Sequence, residues 1–329
     1  MLALAAGAAG AHERVFYVQR VSAEEDLAQN TVSAIFQDRA GFVWIATQGG
    51  LHRYDGYRFE LYQHNPEDSH SLPSNFVSAL AQDDEGRLWV GTDSAGLSRL
   101  DAGQASFAPL PPPDDADAPA RNAITALMHD PKSGLWIGSR FGIERAGAGA
   151  TRETILKLEP GGQVYRFART DDNAIWAATS DGLYRIAPSS LKVERAAPAL
   201  AGPVLSLHVD HGDRVWAGTP DGLHAIGPNA ETRRVWPAPD GPSFPGRPQV
   251  LSIEGDESGR LWLAVYPFGL VVFDPATGKS EQLASDPRLH GSLPEDTIRV
   301  LMRDRSGLLW LGGIVHGLAS LDPEGARFR

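Results

Sequence analysis

Ser74-Asn75-Phe76-Val77-Ser78-Ala79-Leu80-Ala81-Gln82-Asp83-Asp84-Glu85-Gly86-Arg87-Leu88-Trp89-Val90-Gly91-Thr92 sets two short apolar runs on either side of an Asp- and Gly-bearing turn. Each run is too short for a stable helix, and β-branched and aromatic residues enrich both, so the stretch reads as a hairpin of two strands. The same pattern stands around Trp44, Trp136, Trp176, Trp216, Trp262 and Trp310; only Trp236 falls outside the series. Successive tryptophans are 45, 47, 40, 40, 46 and 48 residues apart, the length of one four-stranded propeller blade. The predicted fold is all-β: a seven-bladed β-propeller of four-stranded antiparallel blades.

Aligning the copies on Trp assigns the positions. Twelve residues before it stand Val32, Val77, Ile124, Val164, Val204, Val250 and Ile298, and the residue just before it is always aliphatic. Two after it comes only Gly or Ala (Ala46, Gly91, Gly138, Ala178, Gly218, Ala264, Gly312), which implies close approach of a neighbouring blade. Asp lies six before Trp in six copies and one place later, as Asp171, in the fourth. With Gly, Asn or Asp three before Trp in most copies, it marks the turn between first and second strands. A second turn ends at pairs such as Gly50-Leu51 and Gly317-Leu318 and opens a third strand. The fourth strand is the most variable, with candidates Phe59–Gln63, Ser106–Leu110, Thr154–Leu158, Val193–Ala196, Arg233–Trp236 and Ser280–Leu283, and a stub at Ala326–Arg329. The run Val15–Arg20 has no blade of its own. It is expected to close the ring as the outer strand of blade seven, pairing with the third strand at about 317–322, which hides sheet edges.

The repeats run without a linker, so residues 14–329 are expected to form one propeller and residues 1–13 a signal-peptide remnant or disordered tail. Leu2–Ala11, rich in Ala, Gly and Leu and ending Ala9-Gly10-Ala11-His12, is similar to the end of a secretory signal, and the expected location is periplasmic. Absence of cysteine fits an oxidising compartment. A net charge of −11 with no basic stripe argues against nucleic acid as a partner. No run of 18 apolar residues is present, so any membrane attachment would use segments absent from this chain. Leu110–Pro119 and Pro237–Pro248 are read as solvated excursions between blades.

Asn30-Thr31-Val32-Ser33-Ala34-Ile35-Phe36-Gln37-Asp38-Arg39-Ala40-Gly41-Phe42-Val43-Trp44, followed by Gly50-Leu51-His52-Arg53-Tyr54-Asp55-Gly56, resembles the repeat of two-component regulator propellers. Ser71-Leu72-Pro73 through Thr92 resembles it more closely still, and copy seven opens alike with Ser292-Leu293-Pro294. The resemblance spans residues 15–329. It implies the extracytoplasmic sensing portion of a bacterial signalling protein whose output is a histidine kinase, often hybrid, or a diguanylate cyclase, and hence dimerisation through the full-length receptor.

Neither a Gly-x-Ser-x-Gly elbow nor a His-Glu-x-x-His helix is present, and no catalytic residue, metal site or cofactor is expected. His208 and His211 fall on opposite faces of a strand and its turn, and the recurrent aspartates read as turn caps rather than calcium ligands. Function is expected where the repeat is broken. The turns after Trp are small in most copies but bulky in three: Arg140-Phe141, Tyr266-Pro267-Phe268 and Ile314-Val315-His316. With Arg121 and Arg247 from entering loops, the predicted ligand-binding rim of the channel is Arg121, Arg140, Phe141, Arg247, Tyr266, Phe268 and His316. The expected partner is a small ligand, anionic or saccharide-like. Two other classes fit the pattern: a propeller lyase or hydrolase of the streptogramin-lyase type, and a protein-interaction or dimerisation platform without a small ligand.

Overall fold

The structure, a computed structural model, describes residues 16–21, 27–101, 106–112, 116–147, 151–227, 230–238, 246–289 and 291–325. After β1 (Val18–Arg20), blade one is β2 (Val32–Gln37), β3 (Val43–Thr47), β4 (Gly50–Tyr54) and β5 (Phe59–Tyr62). Blade two is β6 (Val77–Gln82), β7 (Leu88–Thr92), β8 (Leu97–Leu100) and β9 (Phe107–Leu110). A short helix, α1 (Ala118–Asn122), leads into blade three: β10 (Ile124–Asp130), β11 (Gly134–Ser139), β12 (Gly142–Ala146) and β13 (Arg152–Lys157). Blade four is β14 (Val164–Arg169), β15 (Ile175–Thr179), β16 (Gly182–Ala187) and β17 (Lys192–Ala196). Blade five is β18 (Ser206–Val209), β19 (Val215–Thr219), β20 (Gly222–Ile226) and β21 (Thr232–Trp236). Blade six is β22 (Gln249–Gly255), β23 (Leu261–Tyr266), β24 (Gly269–Phe273) and β25 (Ser280–Leu283). Blade seven joins β26 (Val300–Arg303), β27 (Leu309–Gly312) and β28 (Leu318–Leu321) to β1.

All seven sheets are four-stranded and antiparallel. First strands of successive blades touch in order, and β26 touches β2, so the ring is closed. Closure is by the N-terminal strand: Val18, Gln19 and Arg20 pair with Leu321, Ser320 and Ala319. The outer strands of blades two and seven each make one backbone hydrogen bond outside their sheet, Phe107 N donating to His70 O at 2.8 Å and Val18 N to Gly291 O at 2.9 Å. The fourth strands begin up to two residues from the expected positions (Arg152 for Thr154, for instance), because they face solvent and carry little apolar pattern. The proposed stub 326–329 and residues 1–13 lie outside the described residues. Leu110–Pro119 was expected as a loop, but its end begins α1, which turns Arg121 into the protein.

Second strands are buried along their length except at the ends of two, Gly134 in β11 and exposed Tyr266 in β23, and hydrophobic clusters lie between adjacent blades. Each indole removes roughly 150–250 Å² from water, an upper bound of about 4–6 kcal/mol. The small residue two after Trp meets the β-branched residue that opens the next blade: a Cβ on Gly138 would sit 2.7 Å from Val164 Cβ.

The recurrent aspartate does more than cap a turn. One oxygen accepts turn amides and the other accepts the indole N–H of the repeat tryptophan, at 2.8–2.9 Å, in Asp38–Trp44, Asp83–Trp89, Asp210–Trp216, Asp256–Trp262 and Asp304–Trp310. In blade three the contact is relayed, Trp136 donating to Ser133 and Ser133 to Asp130. In blade four, where the turn aspartate Asp171 is displaced by one place, the acceptor is Thr170, backed by Asp172. Burial alone would raise the carboxyls of Asp83, Asp130, Asp210 and Asp256; the hydrogen bonds they accept outweigh it and hold all four below the ordinary range.

Candidate functional site in the central channel

The first strands carry a second regularity. In β2, β6, β10, β14 and β22 the register slips by one residue at a β-bulge, at Ser33, Ser78, Thr125, Tyr165 and Leu251. A bulge re-aims a side chain that the pleat would send elsewhere. These five, with Leu205 and Arg299 at the same place in blades five and seven, line a cavity of 490 Å³ along the ring axis. The position lies eleven residues before Trp in every copy and reads Ser, Ser, Thr, Tyr, Leu, Leu, Arg. Phe76, Asp93, Arg140, Gln163, Arg166 and Ile314 complete the working surface.

Some polar groups here serve the ring. Ser33 donates to Val77 O, Ser78 to Ile124 O at 2.6 Å, and Ser206 to Val250 O at 2.8 Å, each tying one blade to the next. Charged groups also face the cavity. Arg140 pairs with Asp93 at 2.8 Å with its side chain half exposed. Arg166 reaches Glu254 at 3.7 Å. Arg299 has no ion pair or side-chain hydrogen bond among the described residues, and Thr125 Oγ1 is buried without a partner. Burial pushes the Glu254 carboxyl up to about 7 against the pull of Arg166 and Arg303. His208 is held down at about 4 by burial, so it is neutral at pH 7. Three arginines thus converge on a cavity whose lining carries one acid, Asp93, in a chain of net charge −11.

Of the seven residues expected at the rim, Arg140 alone lines this cavity. Arg121 is buried, pairs with Glu144 beside Arg152, and lies 3.6 Å over the Phe141 ring. Phe141 is 4% exposed. These two corrections share a cause: a buried carboxylate, Glu144, draws both arginines inward, and the aromatic face beside it completes their desolvated surroundings. Arg247 is exposed and pairs with Asp221 at 3.2 Å. Tyr266 is exposed, while Phe268 packs toward the core of blades five and six. His316 caps a loop held by Glu295, whose carboxylate accepts the amides of Ile314, Val315 and His316. That clamp sets Ile314 at the cavity. Arg140 pairs with Asp93, Arg121 with Glu144 and Arg247 with Asp221, and Asp117 pairs with Lys157. Arg166, Tyr165 and Arg299 were missed, although the Trp alignment marks their positions as the variable ones on the inner strand. No histidine lines the cavity, and among the described residues no cluster of three His, Asp or Glu is placed to hold a metal ion.

The family model for the two component regulator propeller matches residues 26–49 and 71–94. Over 48 residues, 15% of this chain, the sequence is 44% identical to histidine kinase P4 of Formosa agariphila, and the match spans 4% of that protein. The extracellular domain assigned to a hybrid two component system of B. thetaiotaomicron superposes with a TM-score of 0.79 at 22% identity, over 93% of this chain and 42% of that one. Virginiamycin B lyase of Staphylococcus aureus superposes at 0.69 and 16% identity, over 94% and 99%. At these identities the superpositions establish a shared fold. This chain spans about two fifths of the B. thetaiotaomicron domain and a small part of the kinase. It is a seven-bladed propeller in which two stretches, residues 26–49 and 71–94, match the two component regulator propeller repeat.

Proposed function

We propose that the chain is a non-catalytic, extracytoplasmic sensing module of a membrane-bound signalling protein, working in the periplasm, and that its ligand sits in the channel cavity. The ligand is a small anion or an acid-bearing saccharide. The observation that carries this reading is the convergence of Arg140, Arg166 and Arg299 with Tyr165 and Gln163 on a cavity of 490 Å³. Apolar walls with a few convergent polar groups are what a small-ligand site requires, and guanidinium groups favour carboxylate or sulfate. The repeats shared with two component regulators and the likeness to an extracellular domain support the cellular setting. A ligand acts on such a receptor through differential affinity for two arrangements of the assembly, and pairing of two receptors supplies two such arrangements.

Calorimetric titration with sulfate, D-galacturonate and neutral N-acetylglucosamine tests the reading. The two acids are expected to bind and the neutral sugar not. Arg299→Ala should weaken acid binding by roughly 10- to 100-fold, the worth of one charge-assisted hydrogen bond. Binding unchanged in Arg299→Ala, or absent for every acid, would refute a channel anion site and leave an interaction platform.

A further inference from the structure

Arg166–Glu254 differs from every other ion pair among the described residues in skipping a blade: it runs from β14 to β22, past β18 of blade five. The remaining pairs lie within one blade or between neighbours. Arg166 belongs to the cavity lining and its side chain is 46% exposed, whereas Glu254 stands behind it with 18% exposed. Glu254 accepts no hydrogen bond among the described residues, so Arg166 is the counter-charge within ion-pair distance. Three other charged or titratable groups stand near it. Arg303 of blade seven is bonded to Glu257 at 2.8 Å and also pulls the Glu254 carboxyl down, from beyond ion-pair distance. His208 of blade five stands against Gly255 and is neutral at pH 7. On its own blade, Asp256 is held by Trp262 and Arg260.

An anion that enters the cavity and draws Arg166 to itself therefore leaves a buried carboxylate with its partner removed, next to a second negative charge. A buried charge so stranded is costly, and the group neutralises by taking a proton. We propose that anion binding in the channel is proton-coupled: the ligand takes Arg166 from Glu254, and Glu254 takes up one proton from solvent. The inference rests on the channel being the ligand site. Its outcome is a receptor that reads an acid ligand and ambient acidity together, binding more tightly as pH falls. The Glu254 carboxyl, already pushed up to about 7 by burial, places the response near neutrality.

The test is titration with sulfate and with D-galacturonate, neither of which changes charge between pH 6 and 8, in wild type, Glu254→Gln and Arg166→Gln. If only the protonated form binds, affinity scales with its fraction. Wild type should then bind about tenfold more weakly at pH 8 than at pH 6, and calorimetry in buffers of different ionisation enthalpy should show proton uptake. Glu254→Gln, which mimics the protonated acid, should bind equally at both pH values with the affinity of wild type at pH 6. Arg166→Gln should bind weakly at both. Equal wild-type affinity at pH 6 and 8 with binding still dependent on Arg299 overturns the coupling and leaves the anion site standing. No binding of either acid at any pH overturns both.

Discussion

Gly138→Ala is the sharpest test of how the blades pack. An added Cβ would stand 2.7 Å from Val164 Cβ, 2.8 Å from Val164 Cγ1 and 3.1 Å from Ala126 Cβ. A rotamer change can move Cγ1, but the Cβ of Val164 is fixed by its backbone. That backbone is held in β14, which pairs with β15 and packs on β10. Relief therefore requires two blades to separate, and overpacking of this kind costs about 1–3 kcal/mol. We expect the upper half of that range, and more for Gly138→Leu. The control is Gly147→Ala, where no atom lies within 4 Å of the new methyl and the change should stay within about 0.5 kcal/mol. Equilibrium unfolding in urea, followed by the fluorescence of the buried tryptophans, measures both through a shifted midpoint at unchanged slope. A Gly138→Ala protein within about 0.5 kcal/mol of wild type would refute the claim that this position is small because of the adjoining blade.

Asp256→Ala should cost about 3 kcal/mol or more, because it leaves the buried Trp262 N–H and Arg260 without their acceptor. Since the Asp256 carboxyl is held below its ordinary value, its contribution is complete above that value and is lost as pH falls through the lowered one. An acid titration of stability should thus be shallower in the variant at low pH. His52 is fully buried, accepts Ala28 N–H at 3.0 Å, and is held down at about 4 by burial. Between pH 6.5 and 4 the unfolded chain binds a proton there that the folded chain does not, so wild type loses stability as pH falls across that window, by up to roughly 3 kcal/mol. His52→Gln, less stable at pH 7, should lose correspondingly less across that window; an equal loss in both proteins would clear His52 of the effect.

The ring was legible because its signal is periodic. Seven tryptophans, an aliphatic residue before each and a small one two after place every second strand, and Val18–Arg20 closes blade seven as expected. Patterns thin out where side chains meet water, which is why the fourth-strand ends shifted. The aspartates were visible, but a bond from a tryptophan to an acid six positions earlier depends on hairpin geometry that spacing does not state. The rim was harder. Loop side chains have no period, and Arg121 follows Glu144, twenty-odd residues away, into the interior. Tyr165 was hidden by the bulge: strict alternation assigns it one face, and one extra residue changes it. The useful clue was the spread of residue types at one aligned position rather than bulk in the loops.

Ring closure has a consequence for the order of events in assembly. Every ladder but one joins neighbouring strands whose paired residues lie at most 17 apart, as Gln249 and Tyr266 do; β1 and β28 meet across nearly the whole chain. Closing a loop of roughly 300 residues carries an entropic cost of about 5 kcal/mol, met by three residue pairs and the faces they bring together. During synthesis at about 5–20 residues per second, β1 waits some 15–60 s for its partner. Through that interval the face that the first blade will turn to the last stands open, and β1 is an unpaired strand edge that invites association with other chains. The exposure of the nascent ring is therefore set by the pace of the ribosome, and a stabilising change inside blades two to five would do nothing to shorten it.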